Sequence, residues 1–179
     1  MKAEKDFLVG CLTRAGIKSR VLKSWKELER YADSHVGAVL SEGQVLARDG
    51  SKRNYTDQNG VRCTRTRTYT VDSKFKVVIG DYTPERAETI FYAFLDEIDH
   101  GMHLDGNHVE IELGEVNWVE KDDSILKAES ACEIPVTFHG GIYRDVIRKP
   151  LSGIEIDIGG VTGHPFLIHC YAAYYHQHT

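Results

Sequence analysis

Apolar residues recur at helical spacing in three segments of the chain. The stripe over residues 2–15 predicts a first helix, which Gly16 ends. Ser24 and the glutamate three positions later form a capping box, which predicts a short second helix. Thr83 and Pro84 suit the cap and the first position of a third helix, the most amphipathic of the chain.

Alternation of apolar and polar residues predicts strands in other parts of the chain. The longest alternating run spans residues 61–79, and shorter runs span residues 109–113 and 126–138. Arg65 and Arg67 interrupt the apolar row of the long run. The first half of this strand is therefore predicted to project beyond the core as a long β-hairpin arm.

These elements predict an α+β fold. A buried strand over residues 36–40, the long strand and a closing antiparallel hairpin make a mainly antiparallel sheet, with the helices packed on one side. The predicted domain covers residues 1–145. Residues 146–179 are interpreted as a C-terminal extension, with a short strand at residues 154–158 and an apolar docking tail at residues 166–175.

The composition is that of a folded domain rather than a disordered chain. The 179 residues are 41% hydrophobic and 27% charged. No apolar run is long enough for a membrane-spanning helix, and the apolar stretch near the N-terminus is too short for a signal peptide. The four cysteines lie far apart without a C-x-x-C pair, so we interpret them as reduced thiols of a cytosolic protein.

Charge is separated by sign along the chain, although the net charge is only −5. Residues 48–79 carry a net charge of +5, whereas residues 80–133 carry −12. A basic surface of one copy can therefore meet an acidic surface of another copy, which favours self-association. Two solvated faces that contact nothing explain the same pattern equally well.

Histidines and carboxylates cluster after the third predicted helix. Asp99, His100, His103, Asp105 and His108 are of the types that bind zinc, iron or manganese, so a metal-dependent hydrolase is one hypothesis. Their spacing matches no established metal motif, and an acidic helix end followed by a polar turn is the simpler interpretation. We therefore predict no metal and no cofactor. A second group of candidate ligands lies near the C-terminus: His164, His169, Cys170, His176 and His178.

The predicted arm is rich in basic residues, with tyrosines among them. Such a surface can contact nucleic-acid phosphates, but no established nucleic-acid-binding motif is present. Pairing with an acidic surface of a neighbouring subunit is the favoured alternative. No nucleophile elbow, P-loop or dinucleotide-binding glycine pattern occurs either. The basic residues in question are Arg48, Lys52, Arg53, Arg62, Arg65 and Arg67.

The order of the elements and one segment near the end of the predicted domain are similar to those of a known family. The segment from Ile134 to Asp145 reads Ile-Pro-Val-Thr-Phe-His-Gly-Gly-Ile-Tyr-Arg-Asp. It follows an N-terminal helix, a Val-Gly-Ala-Val-Leu strand, a long arm and an amphipathic helix. From about Phe7 to Asp145, this pattern resembles the tail terminator (tail completion) proteins of long-tailed bacteriophages. The tail from residue 146 onward departs from the compact family pattern.

The resemblance implies a structural virion protein rather than an enzyme. It implies a six-fold ring that caps the growing tail tube, ends its polymerisation and provides the surface to which the head attaches. The expected partners are further copies of the chain, the tail tube protein and a head-completion or connector protein, with DNA only as cargo passing through the ring. The expected locations are the host cytoplasm during assembly and then the neck of the virion tail. Another head–tail connector or neck subunit is the alternative.

The resemblance and the charge pattern together suggest candidate residues for subunit contacts or for lining the channel. Head-to-tail ring contacts need two different, complementary patches on each subunit. The basic candidates are Arg53, Arg62, Arg65 and Arg67, and the acidic candidates are Glu110, Glu112, Glu115, Glu129 and Glu133.

Overall fold

Three helices and seven strands are found in a computed structural model of the chain, which describes residues 1–98, 101–120 and 130–148. Residues up to Arg148 form one compact unit. No helix in these ranges combines the length and apolar character needed to cross a bilayer. The helices are α1 (Lys2–Arg14), α2 (Trp25–Glu29) and α3 (Pro84–Glu97). The strands are β1 (Val36–Arg48), β2 (Lys52–Thr56), β3 (Arg62–Asp81), β4 (Gly101–Leu104), β5 (Asn107–Leu113), β6 (Asn117–Glu120) and β7 (Ser130–Ile147).

The helix ends follow the signals in the sequence. Ser24 Oγ accepts a hydrogen bond of 3.2 Å from the backbone N–H of Glu27, and Thr83 Oγ1 accepts one of 3.4 Å from Arg86. Pro84 occupies the first turn of α3. Gly16 has a φ of 112°, a backbone conformation that glycine adopts readily, and it directly follows the end of α1. The predicted caps and the predicted end of α1 are confirmed.

All strand pairs of the seven-stranded sheet are antiparallel. The strand order is β1-β3-β7-β5-β4, with β2 also paired to β3 and β6 also paired to β7. The two longest strands, β3 and β7, pair from Asp81–Ser130 at one end to Cys63–Ile147 at the other. The predicted α+β class and the mainly antiparallel sheet are confirmed.

The main core lies between one face of the sheet and the helices α1 and α3. Leu8 and Leu12 from α1 and Phe94 from α3 are fully buried in it. On the sheet, the rings of Phe75 and Phe138 meet edge to face, with centroids 5.6 Å apart. Burial of these large side chains supplies most of the hydrophobic stabilisation of the fold.

A smaller core covers the opposite face of the sheet at the same end. Leu28 from α2 and Leu22 pack there against Val36, Leu40 and Val78. The helices therefore do not all lie on one side, because the short α2 covers the second face. This explains why residues 36–40 form an uninterrupted apolar run rather than an alternating one, since both faces of that stretch are buried.

The sheet continues beyond both cores as an extension that we call the arm, residues 42–70 and 141–148. Every residue of β1 after Leu40 is exposed, and β2 is exposed except for the partly buried Tyr55. The predicted hairpin is therefore a broader sheet containing parts of β1, β3 and β7 together with β2. Most of residues 42–60 lie in strands, and only two short turns interrupt them.

Several sequence-based predictions fall on residues outside the described ranges. These are the start of the strand predicted from residue 126, and the strand and tail of the C-terminal extension. At the predicted boundary of the domain, β7 continues two residues past Asp145 and ends at Ile147. The predicted strand at residues 109–113 is present and pairs with β7 as expected, from Glu110–His139 to Leu113–Val136.

Replacing Phe138 by alanine should destabilise the fold strongly. Phe138 is 1% exposed and its ring contacts both Phe75 and Phe7. We expect the free energy of unfolding to fall by about 3–5 kcal/mol, because the substitution leaves a cavity between α1 and the sheet. Urea unfolding at low protein concentration measures the change. Val146→Ala is the control, since Val146 is 54% exposed and its loss should cost about 0.5 kcal/mol or less. Similar losses in the two variants would contradict this assignment of the core.

Candidate functional site

Arg65 joins two strands of the arm. Its guanidinium contacts the carboxylate of Asp145 through two hydrogen bonds, Nε to Oδ1 at 2.8 Å and Nη2 to Oδ2 at 2.7 Å. Its Nη1 also donates to Asn107 Oδ1 at 2.9 Å. Arg65 and Asp145 are direct neighbours across β3 and β7. This bidentate geometry is the strongest form of ion pair available to arginine.

Two tyrosines complete this cluster. The Arg65 guanidinium carbon lies 5.1 Å from the ring centroid of Tyr55 and 5.9 Å from that of Tyr143, so cation–π attraction adds to the ion pair. The hydrogen bonds from Arg65 hold the pKa of Asp145 below its usual range. We call Arg65, Asp145, Tyr55, Tyr143 and Asn107 the Arg65 clamp.

Arg67 is also paired within its own chain. Its Nε donates to Asp49 Oδ2 at 2.5 Å. Asp49 lies in the turn between β1 and β2, where the backbone N–H groups of Ser51 and Gly50 hydrogen-bond to it. These backbone bonds lower the pKa of Asp49, and Arg67 lowers it to a smaller extent. Both arginines that interrupt the apolar row of β3 therefore have partners in the arm itself.

The other basic side chains of the arm have no ion-pair partner within the part of the chain that the structure describes. All of them are exposed. The arm's own carboxylates are already engaged, Asp145 and Asp49 by the arginines, Asp57 by backbone N–H groups of its turn, and Glu42 by Lys76 at 3.8 Å. The unpaired basic residues are Arg48, Lys52, Arg53, Arg62, Arg144 and Arg148.

The two faces of the arm differ in chemistry. Register places Lys52 opposite Thr66 and Arg144 opposite the same threonine, so these residues form one row across three strands. Side chains two or four positions apart on a strand share a face, which puts Arg62 on the same face as this row. Arg65 lies on the other face with its clamp. One face of the arm therefore carries Lys52, Arg62 and Arg144, which have no ion-pair partners among the described residues. We call these three residues the basic face.

Apolar side chains are also exposed on the arm. Val146 is 54% exposed and Ile147 is 66% exposed, and both lie at the end of β7. Val45 and Leu46 on β1, and Ile142 earlier on β7, are about half exposed. An exposed surface that combines apolar and basic side chains is typical of a contact with a macromolecule.

The acidic candidates from the sequence are distributed over several environments. Glu133 Oε2 contacts Lys76 Nζ at 2.9 Å, and Glu112 contacts His139. Glu110 and Glu115 are exposed and have no ion-pair partner among the described residues. Glu129 lies outside the described residues. Of the four described glutamates, two are therefore paired within the chain and two are not.

His139 bridges two carboxylates on neighbouring strands. Its Nδ1 lies 2.8 Å from Asp72 Oδ1 on β3, and its Nε2 lies 2.8 Å from Glu112 Oε2 on β5. Both partners accept hydrogen bonds, so the doubly protonated imidazolium fits this site best. The hydrogen bond to Asp72, and then that to Glu112, raises the pKa of His139. No sequence pattern singles out His139 or Asp72, because only the register of β3 and β7 brings them together.

The histidine cluster after α3 forms a β-hairpin. Asp105 and Gly106 have φ values of 50° and 72° and occupy the two-residue turn between β4 and β5. His103 and His108 pair across this hairpin, with ring centroids 5.4 Å apart. His100 and Asp99 lie outside the described residues, as does the C-terminal histidine group. Among the described residues, no group of three His, Cys, Asp or Glu side chains is arranged to hold a metal ion.

The described cysteines are placed as core residues. Cys11, Cys63 and Cys132 are free and buried. Burial raises the pKa of the Cys132 thiol to about 12, and it also raises the pKa of Cys11. A buried thiol that stays protonated is a poor nucleophile. All three cysteine side chains are buried and contribute to packing.

A cavity of about 490 Å³ lies between the base of the arm, α1 and the β4–β5 hairpin. Its apolar lining includes Val71, Val109 and Phe138, and Glu4 and Arg65 contribute charged groups to it. The carboxylate of Glu4 already pairs with the amino group of Met1 at 2.5 Å, and Arg65 belongs to the clamp. Glu4, Arg65 and Asp145 are thus engaged by the protein itself, whereas Asp105, also in the lining, has no ion pair among the described residues.

Comparison of the chain with models of known protein families and with curated protein sequences found no match in either set.

Removing the Arg65 side chain should loosen the end of the arm. Arg65→Ala eliminates both bonds to Asp145 and both ring contacts. We expect local opening to become easier by about 1–1.5 kcal/mol, or roughly tenfold faster amide hydrogen exchange in β2 and at the end of β7. Arg62→Ala is the matched control on the same strand, because Arg62 has no ion pair among the described residues. Equal exchange rates in the two variants would contradict a structural role for the clamp.

The contribution of His139 to stability should decrease as pH rises. A histidine whose pKa is higher in the folded state stabilises the fold fully below its unfolded pKa, and this contribution is lost as pH rises through the folded pKa. We expect NMR titration to give His139 a pKa above 6.5. The stability difference between wild type and His139→Gln should be smaller at about pH 8.5 than at about pH 6. His103→Gln, at an exposed histidine, is the control. A pH-independent difference would refute the bridge.

Proposed function

We propose that this protein is a structural virion assembly subunit, a bacteriophage tail terminator that forms a ring on the end of the tail tube. The observation that supports this proposal is the arm. It is an ordered extension of the sheet beyond both cores, and it carries exposed apolar side chains and six basic ones that have no ion pair among the described residues. The similarity of the segment Ile134–Asp145 to tail terminators is the independent sequence argument.

The arm is better suited to contact with a macromolecule than to an isolated subunit. A sheet extension with both faces largely in water gains little from hydrophobic burial, and exposed strand edges invite pairing with other chains. Contact with a neighbour would bury the apolar side chains at the end of β7 and neutralise the basic face. Such an extension is therefore consistent with a protein that assembles with other subunits.

The proposed ring stops growth of the tube and then offers its free surface to the head. The partners are the tail tube protein on one side and a head-completion or connector protein on the other. The basic side chains that remain accessible in the ring would meet DNA as it passes through the lumen, without sequence-specific recognition. The protein acts in the host cytoplasm during assembly and then in the neck of the virion tail, and the proposed function needs no catalysis and no cofactor.

A second head–tail role is favoured by the same arm. Another connector or neck subunit would also form a ring and use exposed arms for contacts between rings. The two roles differ in which surface they recognise, since a terminator binds the end of the tail tube directly.

We expect the protein to limit the length of polymerising tail tubes. The test adds it to the tail tube protein of the virus or prophage that encodes it and follows tube length by electron microscopy. Capped tubes should be shorter and should show one ring at one end. Native mass spectrometry should detect an assembly of about 121 kDa, six times the chain mass of 20.2 kDa. Rings that bind only finished, capped tails would favour the neck subunit. Tubes of unchanged length with bare ends would refute the terminator.

A further inference from the structure

An aromatic cluster is exposed where α3 meets β6. The ring of Phe91 contacts that of Tyr92, with centroids 5.3 Å apart, and that of Trp118, with centroids 5.5 Å apart. Tyr92 is 56% exposed and Trp118 is 46% exposed. Large aromatic side chains that remain this exposed are the residue types that most often dominate the energy of protein interfaces.

The surroundings of this cluster are acidic. Glu88 and Asp96 lie one turn before and one turn after Tyr92 on α3, so the three residues form one row. Glu115 lies just before β6. All three carboxylates are exposed and have no ion-pair partner in the described ranges. The stretch from residue 87 to residue 120 contains no lysine or arginine at all. We call Glu88, Phe91, Tyr92, Asp96, Glu115 and Trp118 the acidic aromatic patch.

The patch and the arm lie at opposite ends of one subunit. Trp118 pairs with Cys132, which pairs with Ile79 near the end of β3. Arg65, at the arm, is fourteen positions earlier on the same strand. At a rise of about 3.3 Å per residue, the two sites are about 45 Å apart. The unpaired acids of the patch and the unpaired bases of the arm therefore meet only if they belong to different copies.

We propose that the acidic aromatic patch of one subunit docks the basic face of the arm of a second copy of this chain. This inference rests on the proposed function, because it names the contact that joins neighbouring subunits of the ring. The chemistry is complementary, since guanidinium groups form bidentate bonds with carboxylates and stack on tyrosine and tryptophan rings. The Arg65 clamp uses the same combination of a carboxylate and two tyrosines inside the arm.

Two different surfaces meet at this contact, and in the proposed ring they meet head-to-tail. Patch against patch would place like charges together, and so would arm against arm, so a symmetric two-fold dimer through either surface is disfavoured. A head-to-tail contact generates a closed ring or an open filament. Each subunit then uses both of its unpaired charge sets at once.

A charge-swap experiment tests the contact. The arm variant carries Lys52→Glu with Arg62→Glu, and the patch variant carries Glu88→Lys with Asp96→Lys. All four side chains are exposed and lack ion pairs among the described residues, so both variants should fold. Each variant alone places like charges at the contact and should remain monomeric by native mass spectrometry. A mixture of the two should assemble, because an acidic arm then meets a basic patch and a basic arm meets an acidic patch.

The control variant carries Lys18→Glu with Lys26→Glu. These lysines are exposed and lie outside the arm and the patch, and the change in net charge equals that of the arm variant. The control should assemble like wild type. Assembly of wild type should weaken with added salt, because the contact depends on exposed charges.

Tryptophan fluorescence gives a second readout at the patch itself. The chain contains two tryptophans, Trp25 and Trp118, so Trp25→Phe leaves Trp118 as the only reporter. Its emission should shift to shorter wavelength on assembly, because docking removes the ring from water. The arm variant in the same background should show no shift until the patch variant is added.

Three results would overturn the inference. One is assembly of either variant alone, another is a mixture that stays monomeric while wild type assembles, and the third is a wild type that is monomeric at every concentration. In the first two cases the ring would use other surfaces, and the proposed function would stand. Tube length decides the proposed function separately, because it is measured with the tail tube protein present.

Discussion

The pairing of β3 with β7 is the interaction on which the rest of the structure depends. These strands hydrogen-bond along nearly their whole length, from Asp81–Ser130 to Cys63–Ile147. At one end, the ladder is covered on both faces, by α1 and α3 on one side and by α2 on the other. At the other end, the same ladder continues into water as the arm. The continuous hydrogen bonds of this ladder therefore connect the exposed arm to the packed core.

The two ends of this ladder are stabilised by different physics. The covered end gains hydrophobic burial around Phe75 and Phe138, where large side chains are removed from water. The arm has little burial, so its order depends on backbone hydrogen bonds and on local ion pairs. Exposed ion pairs are usually weak, but Arg65 is bidentate to Asp145 and its side chain is only 24% exposed. The Arg65 clamp therefore stabilises the arm, which the two hydrophobic cores do not cover.

Some charged side chains are paired within the chain, whereas others remain available for contacts with other molecules. Arg65 and Arg67 are satisfied within the arm, whereas Lys52, Arg62 and Arg144 have no partner among the described residues. The acidic side chains around Tyr92 are in the same situation at the other end of the subunit. A charge held by its own chain contributes to folding, and a charge left exposed is free to contribute to association. This distinction supports an assembly role for the arm.

The sequence by itself determined the local features. Ser24, Thr83 and Gly16 mark helix ends through backbone hydrogen bonding and backbone conformation, which depend on a few neighbouring residues, and alternation marked β3 and β5. The extent of the arm was missed, because exposed polar strands such as β2 resemble loops when their partners are unknown.

Pairing was decided only by tertiary structure. The partner of Arg65 is 80 positions away and that of His139 is 67 positions away, and only the register of β3 with β7 brings them together. The spacing of residues along the chain does not reveal this register, because the register depends on which distant strands share hydrogen bonds.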